Sequence, residues 1–197
     1  MLIQTVESTN AHELLFFTNK AQVYKARTID FAETKASVLG DYVPSKLDME
    51  PAETTLFMGV TEDYKGYFIF VFENGKVAKV SVSSYQTKTN RKKLIKAYCE
   101  KFPISHILQI EEDCDILLKS TNGKALLFNT ANVPLKAAKD NGGISVMTQK
   151  RGQKICSATL HKKGSINNEY RYRAKNLPAA GSKLSEDSTD SQVEMEL

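Results

Sequence analysis

The residues with the clearest chemical potential in this 197-residue chain are cations: Lys88, Arg91, Lys92, Lys93 and Lys96, with only uncharged residues between them. Lys136 and Lys139 follow in a later excursion, and Lys150, Arg151 and Lys154 in another. Cations spaced along a surface in this way can neutralise successive phosphates of a polyanion and release its condensed counterions, without reading its sequence. The same spacing also suits lysines that keep sheet edges soluble and unpaired. Charge is unevenly distributed. The chain carries +4 overall, while Gly181–Leu197 holds one lysine against Glu186, Asp187, Asp190, Glu194 and Glu196, a local −4 that leaves +8 on residues 1–180. The body is basic and the tail acidic, as in proteins that contact polyanions.

Other chemistries find little footing. Cys99, Cys114 and Cys156 are far apart and odd in number, which argues against a zinc site and against a disulfide framework. His12, His106 and His161 lack a cysteine or carboxylate at ligand spacing, so they read as surface or packing residues. Glu111-Glu112-Asp113-Cys114-Asp115 lies between an apolar strand and a hairpin, which favours an inter-strand turn over a metal or acid–base cluster. There is no phosphate-binding glycine loop and no nucleophile elbow. No catalytic residue, cofactor or metal is expected. Nor is a membrane partner, since no apolar run approaches the roughly 18 residues of a span. Without a signal-peptide pattern, the expected location is the cytoplasm.

The elements that must position these cations repeat. Tyr67–Phe72 leads through Glu73-Asn74-Gly75-Lys76 into Val77–Val82, and Ile116–Ser120 leads through Thr121-Asn122-Gly123-Lys124 into Ala125–Phe128. Asn-Gly between two such runs predicts a hairpin with a tight type I′ turn. An earlier copy, Leu14–Thr18, Asn19-Lys20-Ala21-Gln22 and Val23–Ala26, has alanine at the glycine position. The turn positions 21, 75 and 123 are 54 and 48 residues apart, a period of propeller-like arrays in which one blade cannot bury both faces alone. Later strands of each blade are expected at Val43–Met49, Ile104–Ile110 and Ile144–Met147. The aromatic residues Tyr67, Phe68, Phe70 and Phe72 are expected in the core. Arg91–Tyr98 reads as a helical turn, and Tyr170–Arg173 as an edge strand before Pro178. The domain reading is blades over 1–166, a terminal extension over 167–180 and a disordered acidic tail over 181–197.

These hairpins, with the basic run Lys88-Thr89-Asn90-Arg91-Lys92-Lys93-Leu94 and the later Gly142-Gly143-Ile144-Ser145-Val146-Met147, resemble the C-terminal region of the A subunits of bacterial type IIA topoisomerases, DNA gyrase and topoisomerase IV. The likeness spans roughly residues 10–160, and the basic run and the Gly142–Met147 segment are similar especially to members from low-GC Gram-positive bacteria. It implies an all-β fold, a hairpin-invaded β-pinwheel of four-stranded blades. Three to four blades in an open or incomplete ring are expected here, against five or six in full domains of the family, and such a chain is either a fragment or a shortened array. The resemblance also implies a non-catalytic DNA-binding role: duplex DNA held or bent on a basic outer rim contributed by Lys88, Arg91, Lys92, Lys93, Lys96, Lys136, Lys139, Lys150 and Arg151. Implied partners are the ATPase subunit, together with the remainder of the topoisomerase A subunit; the cleavage tyrosine domain is absent from this chain. The family's glutamine-arginine-arginine-glycine-glycine-lysine-glycine box for chiral wrapping is missing, which points to positioning of DNA rather than active wrapping. The rival reading is a propeller-like protein-interaction module whose basic loops dock an acidic partner.

Overall fold

A computed structural model describes residues 4–35, 37–88 and 91–184. In chain order its strands are β1 (Glu13–Thr18), β2 (Val23–Arg27), β3 (Thr55–Thr61), β4 (Tyr67–Phe72), β5 (Lys76–Ser81), β6 (Lys93–Leu94), β7 (Ile104–Ile110), β8 (Asp115–Ser120), β9 (Lys124–Asn129), β10 (Ile144–Ser145), β11 (Ile155–Leu160) and β12 (Ser182–Lys183). They form three four-stranded sheets, ordered β3-β1-β2-β6, β10-β5-β4-β7 and β11-β8-β9-β12. Every pairing within them is antiparallel. A hairpin occupies the middle of each sheet. One edge is the strand that follows it in its own repeat, and the other is a short strand reached only after the next hairpin or after the last excursion of the chain. The four-stranded repeat expected from the sequence is therefore present, and each sheet is completed by distant chain.

The repeat is more regular than the sequence alone suggests. The register of the third strand against the hairpin shifts at Thr18, at Phe72 and at the Lys119–Ser120 end of β8. A 3₁₀ turn begins after each hairpin at Thr28, Val82 and Thr130. Both features keep the offsets of 54 and 48 residues seen between the turns.

The hairpin turns fall where expected, but they are not type I′. Positive φ occurs only at the last loop residue, Ala21 (50°), Gly75 (80°) or Gly123 (72°). Its N–H donates to the carbonyl of Thr18, Phe72 or Ser120, at 3.2, 3.0 and 2.9 Å. That is a three-residue loop built on a type I turn with a left-handed final residue. The asparagines serve a different purpose from the one predicted: Asn74 Oδ1 accepts from Lys76 N and Asn122 Oδ1 from Lys124 N, bridging the turn through the side chain. Glycine is demanded most strictly at position 75, where a Cβ would lie 1.8 Å from the Met147 carbonyl oxygen. At Gly123 it would meet nothing within 4 Å, so only φ constrains that position.

Four expectations are corrected. Val43–Met49 is not a strand: Val43–Lys46 forms the helical turn α1, with Pro44 in its first positions, where a missing N–H does no harm. The later strand of the first sheet is β3. Ile144–Met147 is a strand only over Ile144–Ser145 and completes the second sheet by pairing with β5. Arg91–Tyr98 is not helical, because pairing of Leu94 with Val23 and burial of Leu94, Ala97 and Tyr98 outweigh helical propensity. Tyr170–Arg173 lies at the turn α2 (Glu169–Tyr172). The rotation of roughly 100° per residue in a helix separates Tyr172, buried against Leu117, Leu127 and Ile166, from Tyr170, which is 81% exposed. The residues of the acidic tail from 185 onward lie outside those described.

The chain divides into two compact units. One comprises Met1–Gly66, Ser81–Glu100 and Ala137–Asn141, the other Tyr67–Val80, Lys101–Lys136 and Gly142–Leu197. The first contains the first sheet. On one face Leu14, Phe16 and Tyr24 pack with Phe31, Val43, Leu47 and Met58, and elsewhere Phe17 meets Tyr85 edge-on at 5.3 Å. The second contains the other two sheets, joined by a core in which Ile69, Val71 and Val77 pack with Ile116, Leu118, Leu126 and Phe128. Phe68, Phe70 and Phe72 are fully buried, as the reading of that strand as core required. Each such side chain contributes about 1.5–3 kcal/mol on burial.

Candidate nucleic-acid interface

In the first unit an open cleft of about 650 Å³ forms beside the first sheet. Its floor is Glu13 of β1 with Tyr24, Lys25, Ala26 and Arg27 of β2. Asp30 and Phe31 and the end of α1 (Lys46, Leu47, Asp48) make one wall, and Thr87, Lys88, Arg91 and Lys92 make another. The second wall is held to the floor by the backbone bond from Lys25 N to Lys92 O, 2.7 Å. Six cations and three acids thus line it, a balance of +3.

The six cations are not equivalent. Lys25 Nζ lies 3.3 Å from Glu13 and 3.3 Å from Thr87 Oγ1 and stands over the Tyr64 ring. Arg27 pairs with Asp30 at 3.3 Å and Lys46 with Asp41 at 3.3 Å. The backbone N–H of Arg27, and then its guanidinium, hold the Asp30 carboxyl below its ordinary range. The Ala32 N–H and then Lys46 do the same for Asp41. These acids stay ionised and compensate their neighbours. Lys88, Arg91 and Lys92 are exposed and have no ion pair among the described residues. They form the side of the cleft without ion pairs among the described residues, with Lys92 near enough to Asp30 to help hold that carboxyl low.

Lys93 is placed differently. It hydrogen-bonds Glu50 and stands 5.4 Å over the Tyr24 ring. Hydrogen bonds from Lys93, then Gln22 and Lys20, lower the Glu50 carboxyl to about 2. Beneath this pair Glu53 is buried and accepts from Thr18 Oγ1 and Tyr24 OH and, at 3.1 Å, from Glu50 N. Lys96 and Lys139 line a second, shallower recess of the same unit, with Ser84, Ile95, Ala137, Ala138 and Asp140. Lys136, Lys150 and Arg151 are exposed on the second unit. The turn carrying Lys150 and Arg151 is tied to the β8–β9 loop by the bond from Asn122 Nδ2 to Gln153 Oε1, 2.8 Å.

Of the nine residues expected from the sequence, the fold therefore gathers Lys88, Arg91 and Lys92 in one cleft and Lys96 and Lys139 in another, ties Lys93 to a carboxylate, and puts three on the other unit. Sequence reasoning missed Lys46, because it assigned that segment to a strand; Pro44 was the available signal for a helical start. It also missed Lys79, which is buried, bonded to Asp113 Oδ1 at 2.5 Å and 4.4 Å from the Tyr67 ring. Burial raises the Asp113 carboxyl, but the bonds from Lys79 and Thr130 outweigh it and hold the group low. His161, which has no carboxylate at ligand spacing in the sequence, lies 3.0 Å from Glu169, brought there by α2. No group of three or more His, Cys, Asp or Glu among the described residues could hold a metal ion, and none of the described helices is long and apolar enough to cross a membrane.

No family model matches the chain. It is similar to the A subunit of DNA gyrase from Streptomyces coelicolor, 23% identical over 169 residues, which is 81% of this chain and 20% of the relative. It is 27% identical over 136 residues to that of Streptococcus pneumoniae, 66% of this chain and 16% of the relative. The chain thus spans about a fifth or less of the curated relatives it matches. Among solved structures, the C-terminal domain of DNA topoisomerase IV superposes with a TM-score of 0.69 at 23% identity, over 80% of this chain and 49% of that one. The E. coli ParC C-terminal domain gives 0.68 at 14% identity, over 93% and 81%. The three four-stranded sheets share the β-pinwheel fold of these domains, as the sequence resemblance implied.

Proposed function

For a chain homologous to the A subunit of gyrase, with the fold of the C-terminal domains of gyrase A and topoisomerase IV, we propose the role of a non-catalytic module that holds duplex DNA for a type IIA topoisomerase, assisting strand passage and the control of supercoiling. The observation that carries this reading is the convergence of Lys88, Arg91 and Lys92, which have no ion pair among the described residues, on a cleft already lined by Lys25, Arg27 and Lys46 and with a net balance of +3. Phosphates would take the free cations, while Lys96 and Lys139, and on the second unit Lys136, Lys150 and Arg151, extend the contact. Lys93 acts chiefly through Glu50. The missing wrapping box favours positioning of DNA over chiral wrapping. Cleavage chemistry belongs, in this proposal, to the rest of the A subunit; ATP is used by the ATPase subunit; the site of action is the cytoplasm, at the nucleoid. We assign the blades to 1–166, the connection to the last strand of the third sheet to 167–180, and the acidic residues to a tail within 181–197.

Titration of a random-sequence duplex by fluorescence anisotropy at two salt concentrations tests the proposal. Binding at low salt that weakens steeply at high salt, regardless of sequence, is expected. Absence of binding at low salt contradicts it and leaves the protein-docking alternative.

A further inference from the structure

The second recess of the first unit combines features that phosphate contact alone does not use. Ile95 is 65% exposed, while its neighbours Leu94 and Ala97 are buried. The chain is pinned on both sides of it. Leu94 pairs with Val23, Ala97 N donates to Ala21 O at 2.7 Å, and Tyr85 OH donates to Ala97 O at 2.6 Å. Between these anchors Lys96 adopts φ 52°, a left-handed conformation unusual for lysine that the anchors enforce. The result is a stiff tip with a branched apolar side chain at its end. Exposed Ala137 and Ala138, from an excursion some forty residues away in sequence, line the same recess beside it. Lys139 lies half-buried there, its Nζ 3.5 Å from Ser84 O, and Lys96 is exposed. One acid, Asp140, completes the lining.

An isolated surface isoleucine needs no explanation. One fixed on a strained turn, with lysines beside it on the same recess, suits a duplex groove, whose base edges lie between two rows of phosphates and whose apolar base faces are reached when a step is opened. Apolar wedges of this size enter a base step from the minor groove, unstack it and kink the helix. A protein interface is depleted of charge at its centre, whereas this recess sets two lysines and one acid around a single large apolar side chain.

Resting on the DNA-binding reading above, we propose that Ile95 is such a wedge: it presses into a base step of the bound duplex and bends it, while Lys96 and Lys139 hold the flanking phosphates. The wedge adds bend without adding charge.

The test uses the whole chain with an end-labelled duplex of about 30 base pairs, reading bend by energy transfer between the ends and affinity by titration. Ile95→Ala is expected to lower the transfer at saturation and to weaken binding about threefold to tenfold. Its salt slope should match that of the unmodified protein, and its affinity for a duplex already kinked by a bulge should be unchanged. Ile95→Leu should restore the bend, whereas Ile95→Lys should bind without restoring it. Equal thermal melting of the variants verifies the fold. If the unmodified protein binds and Ile95→Ala bends the duplex equally, the wedge is overturned and the DNA reading survives. If the unmodified protein fails to bind at low salt, both fall.

Discussion

Lys92 and Lys93 are adjacent in the chain, yet the first stands exposed on the wall of the cleft without an ion pair among the described residues, and the second is bonded to Glu50 over the ring of Tyr24. Lys79, in the second unit, carries the contrast further, buried with Asp113 for a counterion. Strand alternation separates the neighbours: Lys93 pairs with Tyr24 in register, and its side chain follows that of the tyrosine across the face of the first sheet. A run of basic residues is therefore two populations. One is available to an external anion, and the other is already paired with carboxylates of the chain itself. A count of cations in the sequence overstates the charge a polyanion meets.

The comparison can be broken by exchanging the behaviour of the two populations. Replacing Lys88, Arg91 and Lys92 together by alanine should weaken binding of random duplex on the order of 10- to 100-fold and lower the salt slope by roughly 2–3, with no loss of stability. Denaturant melting and titration at several salt concentrations check both halves. Lys79→Ala should do the reverse. It leaves Asp113 without its partner, but because that carboxylate is about a third exposed and can regain water, the expected loss is about 1–3 kcal/mol, below that for a fully buried pair. Its DNA affinity should stay within twofold.

Lys93→Ala is the sharper probe, since it removes one charge from the same basic run. Its salt slope should fall by less than that of Lys92→Ala, which is expected to lose about 0.9. The smallest effect is in acid. The Glu50 carboxyl is lowered from an ordinary 4.5 to about 2, so its pair with Lys93 contributes fully above about 4.5 and is lost as pH falls toward 2. The stability difference between the unmodified protein and Glu50→Gln at neutral pH should shrink across that window, as acid titration monitored by circular dichroism would reveal.

Much of the fold was legible because its signals are local. Asparagine and glycine between apolar runs marked two hairpins, and the spacing of the turns disclosed the repeat even where alanine replaces glycine. The short edge strands were not legible. β6, β10 and β12 have two residues each, and they are strands only because a distant hairpin offers them an unpaired edge. The helical turn at Val43–Lys46 could have been read from Pro44, but the place of this apolar segment after the hairpin and its excursion suggested the later strand of a blade. At the site, the basic run was visible in the sequence. Its division was not, since Glu50 lies 43 residues from Lys93 in the chain and Asp113 lies 34 from Lys79.

The division of the cations is tested most directly by measuring lysine reactivity toward an amine-modifying reagent with and without random duplex DNA, read residue by residue by mass spectrometry. Lys88 and Lys92 should be protected at low salt and become reactive again at high salt, while Lys93 and Lys79 react equally with and without DNA. Bound DNA that leaves Lys88 and Lys92 as reactive as before, or that protects Lys93 in their place, would contradict the account.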